Sequence, residues 1–479
     1  MNFIFFMPDE LRAESVGCYG HPLVQTPNMD ALAADGVRFD QCHVQHSVCT
    51  PSRCSMMTGW YPHVRGHRTL WHLLRPDEPN LLRYLKGKGY TVHWYGKNDL
   101  LSPESFADSV DVAESRGKGK FGPNPFAFDD PRYYSFLSEP YTAPLEDHGD
   151  YANVQAGIDF LKSKPSQPFV LYLPLTFPHC PYSAPQPWHD QIDPDDLPAL
   201  RPADLPDRPH FHGLIRQTRR LDQVDESVLR KINAVYLGMT GFVDHLLGRL
   251  LNALDESGLA EDTAIFVLSD HGDYAGDYGL VEKWPSAAED VITRVPLIAR
   301  IPGGARRPKV RGHTVTEPVE LFDLMATTLD LAGIEAQHTH FARSLVPQLH
   351  GASGDPDRAV FCEGGYARHE PHNFEGKANR DQFARSAEHI YYPKGKLQQD
   401  HPDSVGRNTM IRTATHKLIH RPTGMGELYD LIADPQELTN RYVDPQYAEI
   451  RGQLERRMLD WLIQTSDVTP FHMDPRGFG

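Results

Sequence analysis

Cysteine is scarce in this chain: six in 479 residues, at Cys18, Cys42, Cys49, Cys54, Cys180 and Cys362. No Cys-x-x-Cys occurs and no spacing suits zinc, which excludes a disulfide-stapled scaffold and a thiolate zinc site. Long apolar runs are missing too. The stretch Asn2-Phe3-Ile4-Phe5-Phe6-Met7 is too short to cross a membrane, has no basic flank and is followed by no small-residue cleavage site. Neither a secretory signal nor a membrane anchor is therefore expected, and with few cysteines the expected setting is the reducing cytoplasm. An excess of positive charge is also lacking. Lys and Arg number 48 against 64 Asp and Glu, a net charge of −16. That argues against nucleic acid or an anionic membrane as partner. A small anionic substrate would need a locally positive pocket, which some of the 25 histidines could help to line.

Present instead is an alternation of short apolar runs and amphipathic helices over the first two-thirds of the chain. This predicts an α/β fold, a large mixed and mostly parallel sheet sandwiched by helices. The runs Phe3 to Met7, Thr91 to Tyr95, Phe169 to Leu175 and Ala264 to Leu268 lack strict alternation, as strands buried on both faces do. The clearest helix is expected from about Asp225 to Leu254, stopped near Gly258. Two stretches rich in Pro, Gly and Asp, about 102–150 and 190–222, read as long excursions over the sheet edge. After about Gly351 the pattern changes to short alternating segments and a last helix from about Pro445 to Ile463. The expected organisation is a catalytic domain over 1–350 and a C-terminal subdomain over 351–479, with a small antiparallel sheet and a closing helix.

Chemistry gathers where the apolar runs end. They lead into Pro8-Asp9-Glu10, Gly96-Lys97-Asn98-Asp99, Thr176-Phe177-Pro178-His179 and Ser269-Asp270-His271-Gly272. In an open parallel sheet all carboxyl ends share one edge, so these residues would meet in one crevice. Hard oxygen donors from Asp9, Glu10 and Asp270, with His271, favour calcium, magnesium or manganese over zinc. Taken singly, each group also suits a solvated turn or a helix cap. Cys49-Thr50-Pro51-Ser52-Arg53 reads as a helix start, with Thr50 to Ser52 near the N-cap and Gly59 as the stop. A cysteine there could be a structural thiol, a plain nucleophile or the centre of an anion site.

The full segment Cys49-Thr50-Pro51-Ser52-Arg53-Cys54-Ser55-Met56-Met57-Thr58-Gly59 resembles the type I sulfatase signature, whose cysteine is oxidised to formylglycine by a dedicated enzyme that reads Cys-x-Pro-x-Arg. The resemblance extends in order along the chain. It takes in Asp9-Glu10, Thr26-Pro27-Asn28-Met29-Asp30, Gly96-Lys97, Pro178-His179-Cys180-Pro181, Ser269-Asp270-His271-Gly272, Gly279-Leu280-Val281-Glu282-Lys283 and Glu427-Leu428-Tyr429-Asp430-Leu431. It implies an alkaline phosphatase-like fold and a sulfuric ester hydrolase of arylsulfatase type. Residue 49 would act as a hydrated formylglycine attacking sulfur, and one divalent cation, calcium first among the candidates, would be held by Asp9, Glu10, Asp270, His271 and residue 49. Arg53 would hold the nucleophile, Lys97 and Lys283 would neutralise the sulfate oxygens, and His179 would contact the sulfate or protonate the leaving group. A formylglycine-generating enzyme is the implied maturation partner, and assembly into an oligomer is compatible with the sequence.

This chain departs from the family pattern at two places. The acidic pair is Asp9-Glu10 rather than the commoner Asp-Asp, and Asp99 stands where the family often has a histidine two residues after the first lysine. Two other readings remain open at this level. One is a phosphonate monoester or phosphodiester hydrolase on the same scaffold, which shares the formylglycine. The other is a non-catalytic anion-binding homologue, which the intact Cys49, Arg53, lysines and carboxylates disfavour. Trp60, His67, Arg68, Trp71 and His72 could line a sugar or aryl subsite or serve as packing.

Overall fold

Asn2–Asp9 shows why the main sheet has two cores. Its alternate residues point to opposite faces: Ile4 and Phe6 join one cluster, and Phe3, Phe5 and Met7 the other, all at most 1% exposed. A strand apolar on both sides can only lie between two helical layers. The computed structural model, which describes residues 1–165, 168–303, 310–375 and 386–468, has this arrangement. The sheet has eight strands in the order His313–Val315, Val37–Phe39, Leu297–Arg300, Thr263–Leu268, Asn2–Asp9, Phe169–Pro178, Thr91–Tyr95, Val112–Glu114. Leu297–Arg300 runs antiparallel to both neighbours and every other pairing is parallel, a mixed, mostly parallel sheet as expected.

One face is covered by Gly149–Lys162 and the long helix Glu226–Ser257, through Val154, Ile158, Ile232, Val235, Met239, Phe242 and Leu246. The other is covered by Cys49–Thr58, Leu81–Gly87 and Asp323–Ala332. Cys49 lies at a helix N-terminus as the sequence suggested, but the cap is Val48, ahead of the Thr50 to Ser52 expected near it; Cys49 opens the first turn of Cys49–Thr58, and Gly59 closes the helix at φ 69°. The stretches read as irregular excursions hold some regular structure. Val112–Glu114 adds the edge strand, and the helix Phe211–Thr218 buries Phe211 and Ile215 against Trp284 and Tyr274. Their apolar positions are too few for periodicity to show.

Val360–Gly364, Asn408–Arg412, His416–His420 and Glu427–Asp430 form a second, antiparallel sheet. The helix Ala448–Thr465 closes it with Leu454, Met458 and Trp461, and the Trp461 ring stacks on Phe361 with centroids 4.5 Å apart. This sheet is tied to the larger α/β part by buried Lys417, whose ammonium lies 2.6 Å from Asp290 Oδ1 and also meets Glu437. Among the described residues no helix is long and apolar enough to cross a membrane.

Candidate active site

The four central parallel strands deliver their following residues to one edge. Asp9 is the last residue of its strand, next to a register shift between Met7 and Asp9. Lys97 follows Gly96, whose φ of 142° lets the backbone pass Pro174; a Cβ there would stand 2.1 Å from the Pro174 carbonyl oxygen. His179 follows Pro178, and Asp270-His271 follow Leu268. The N-terminus of Cys49–Thr58 enters from the side. Its Ser52 hydroxyl donates to the Asp270 carbonyl at 2.6 Å, which ties the helix to the strand end.

Ligand atoms of Asp9, Cys49, Asp270 and His271 lie within 4.8 Å of one another, and all four residues are buried. Cys49 Sγ is 3.2 Å from His271 Nε2 and 3.5 Å from Asp9 Oδ1. His271 Nδ1 lies 2.9 Å from the Gly272 carbonyl oxygen, so this nitrogen carries the proton and donates. The Nε2 lone pair therefore faces Asp9 Oδ1, 3.8 Å away. Burial, only partly offset by Asp270 and Asp9, keeps the ring below its usual pKa and neutral. Acceptors converging on acceptors in a water-poor place call for a cation, and two carboxylates with one neutral imidazole suit a hard divalent ion.

Cations surround this group. Arg53, one turn after Cys49, places Nε 2.7 Å from Asp270 Oδ2 and Nη2 3.0 Å from Asp9 Oδ2. Lys97 Nζ is 2.5 Å from Asp9 Oδ2 and 3.9 Å from Cys49 Sγ. Burial pushes Asp9 up, but Lys97 and Arg53 outweigh it and hold the carboxyl well below its usual range. The Cys49 thiol is pushed well above its usual value by burial and by Asp9. Left as a cysteine, residue 49 would be a protonated thiol and a poor nucleophile.

Glu10 is the one expected cation ligand that the fold sets apart. Its φ of 68° turns the chain, and the Tyr236 hydroxyl donates to its carbonyl at 2.6 Å. The carboxylate meets the Lys283 ammonium instead, and its Oε1 lies 3.2 Å from His179 Nε2. Lys283 Nζ is 2.6 Å from His179 Nε2, and His179 Nδ1 is 2.5 Å from the Cys180 carbonyl oxygen. His179 thus donates through Nδ1 and accepts from Lys283 through Nε2. Burial and the two lysines hold its pKa well below the usual value. Burial works against the Lys283 ammonium and Glu10 more than offsets that, so its pKa is raised, while burial also pushes the Glu10 carboxyl up against the pull of Lys283.

Several participants were invisible in the sequence. Tyr182 donates to Asp273 Oδ1 at 2.7 Å, next to Glu10. Lys394, from the C-terminal part, binds Glu282 Oε1 at 2.6 Å and so steadies the loop that carries Lys283. Asp273 stands three residues past Asp270, a weak signal, and nothing in the local sequence marks Lys394. His67 is 2.9 Å from Glu78 and Trp60 Nε1 donates to the Thr339 carbonyl, so both serve packing rather than a subsite.

A pocket of buried acceptors ringed by arginine, lysines and a histidine, on the carboxyl edge of such a sheet, defines a hydrolase of anionic esters. The chain belongs to the sulfatase family, in the alkaline phosphatase-like superfamily: the sulfatase model matches residues 1–334, and the C-terminal model of N-sulphoglucosamine sulphohydrolase matches 366–464. Among its relatives is the uncharacterized sulfatase YidJ of Escherichia coli, 28% identical over 97% of this chain and 88% of that one. The multifunctional alkaline phosphatase superfamily protein PehA of Trinickia caryophylli is 28% identical over 98% of this chain and 96% of its own length. Among solved structures, the phosphonate monoester hydrolase SpPMH from Silicibacter pomeroyi superposes with a TM-score of 0.76 at 25% identity, covering 99% of this chain and 96% of that one.

Proposed function

We propose that this enzyme hydrolyses a sulfate monoester with a formylglycine made from Cys49 and a divalent cation, calcium first among the candidates, held by Asp9, Asp270, His271 and residue 49. The observation that carries this reading is the convergence of those four residues' ligand atoms, with the His271 lone pair turned inward. Membership of a family that generally uses both groups supports it. When bound, the cation and the aldehyde hydrate would supply an activated oxygen nucleophile at residue 49.

The chain's own residues do the rest. Arg53 holds Asp9 and Asp270 in place and fixes the helix start that carries residue 49. Lys97 and Lys283 flank the pocket and place positive charge where a transferred group gains negative charge. His179 has no proton on Nε2 at rest, and the nearest one is on Lys283 Nζ, 2.6 Å away. In this reading His179 orients the Lys283 ammonium toward the transferred group. Glu10 acts in this reading by anchoring Lys283.

A second reading, phosphonate monoester or phosphodiester hydrolysis, draws support from the likeness to the phosphonate monoester hydrolase SpPMH. Tetrahedral esters of sulfur and phosphorus fit the same set of cations. Matched aryl sulfate and aryl phenylphosphonate substrates separate the two. A higher kcat/KM for the sulfate is expected, and a large preference for the phosphonate ester would replace the first reading by the second.

A further inference from the structure

Asp99 adds a negative charge to the mouth of the pocket. Its Oδ2 lies 2.8 Å from Lys97 Nζ and 3.9 Å from Arg53 Nη1. Since Lys97 Nζ is 3.9 Å from Cys49 Sγ, this carboxylate stands one ammonium away from residue 49. Its side chain is 19% exposed whereas that of Asp9 is fully buried, so Asp99 lies nearer the surface than Asp9, with its Oδ2 turned inward to Lys97. Burial pushes its pKa up, Lys97 and Arg53 outweigh that, and the net shift is downward, so the group is an anion at neutral pH. On this wall Lys97 and Arg53 meet three carboxylates, Asp9, Asp99 and Asp270. Asp9 and Asp270 also face the proposed cation. Among the described residues Asp99 pairs with these two side chains only, and it takes part of the charge that Lys97 would otherwise offer to an incoming anion.

We propose that Asp99 is the charge filter of the pocket, admitting esters whose transferred group carries one negative charge and discriminating against dianionic phosphate monoesters. The proposal rests on the hydrolase reading above and narrows its substrate class. Sulfate monoesters, phosphonate monoesters and phosphodiesters carry a single charge on the transferred group, whereas a phosphate monoester carries two above its second ionisation. With an effective dielectric of about 20, one further unit charge at about 7 Å changes affinity by about tenfold or more.

Benzenesulfonate and phenylphosphonate have nearly the same shape and differ by one charge above the second ionisation of the phosphonic acid. Calorimetric affinities of the holoenzyme for both read the filter without turnover. Wild type should favour benzenesulfonate. Asp99→Asn and Asp99→Ser should each tighten phenylphosphonate by about tenfold relative to benzenesulfonate, and Asp99→Glu should restore the preference. Wild type should also bind phenylphosphonate more tightly once acid converts it to the monoanion. Parallel changes for both anions, an unchanged ratio, or no binding of either anion would overturn the filter. An enzyme that discriminates between the two anions yet hydrolyses none of these esters would contradict the hydrolase reading while the filter stands.

Discussion

Arg53 and Asp270 face each other at 2.7 Å with neither side chain exposed. The same guanidinium reaches Asp9, so one residue of the helix Cys49–Thr58 clamps two strand ends. Removing one member of a buried ion pair leaves the others uncompensated, at a cost of about 3–5 kcal/mol. Arg53→Ala should therefore lower unfolding stability in urea by about that amount, and Arg53→Lys, which keeps the charge but loses the fork, by less. A loss below about 1 kcal/mol for Arg53→Ala would show that the clamp is weak.

Glu10 and Asp270 should fail in different ways. Asp270→Ala should reduce bound metal, measured by elemental analysis, along with activity. Glu10→Gln should keep its metal and lower kcat by about 10- to 100-fold with little change in KM, because Lys283 then loses the partner that orients it. Metal loss in Glu10→Gln would return Glu10 to the set of cation ligands that the sequence suggested.

Metal removal should also register in stability. Without a cation, Asp9, Asp270 and His271 Nε2 face one another as acceptors. Dialysis against a chelator should lower Tm, and calcium at a hundred times its Kd should restore about 2.7 kcal/mol. An unchanged Tm on both treatments would contradict a cation at this site.

His67 gives a pH dependence of stability independent of catalysis. Burial opposes its charging, but Cys54 and Glu78 outweigh that and its pKa is pushed up to about 11 from an ordinary 6.5. A raised folded-state pKa gives stability that is complete below the unfolded value and lost as pH climbs through the folded one. The Tm difference between wild type and Glu78→Gln should be largest below about pH 6.5 and shrink steadily from there until it is lost near about pH 11. A constant difference would show that His67 is not charged in the fold.

Much of the fold could be read from the residues. The runs beginning at Phe3, Thr91, Phe169 and Ala264 became adjacent strands because residues apolar on both faces leave few other places to lie. Strand-end logic likewise brought Asp9, Lys97, His179 and Asp270 to one edge. What escaped the sequence depends on backbone turns and distant partners. The left-handed φ at Glu10 sends its carboxylate to Lys283, and Lys394 reaches Glu282 from 112 residues away. Neither leaves a local pattern in composition or periodicity.

The central claim concerns residue 49, whose thiol is buried among Asp9, His271 and Lys97. Peptide mass spectrometry of that segment, on enzyme produced with and without a formylglycine-generating enzyme, should be set against aryl sulfate turnover of the same samples. Activity should rise in proportion to the aldehyde fraction and vanish in Cys49→Ala. Full turnover from a sample whose residue 49 is an unmodified thiol would contradict the account.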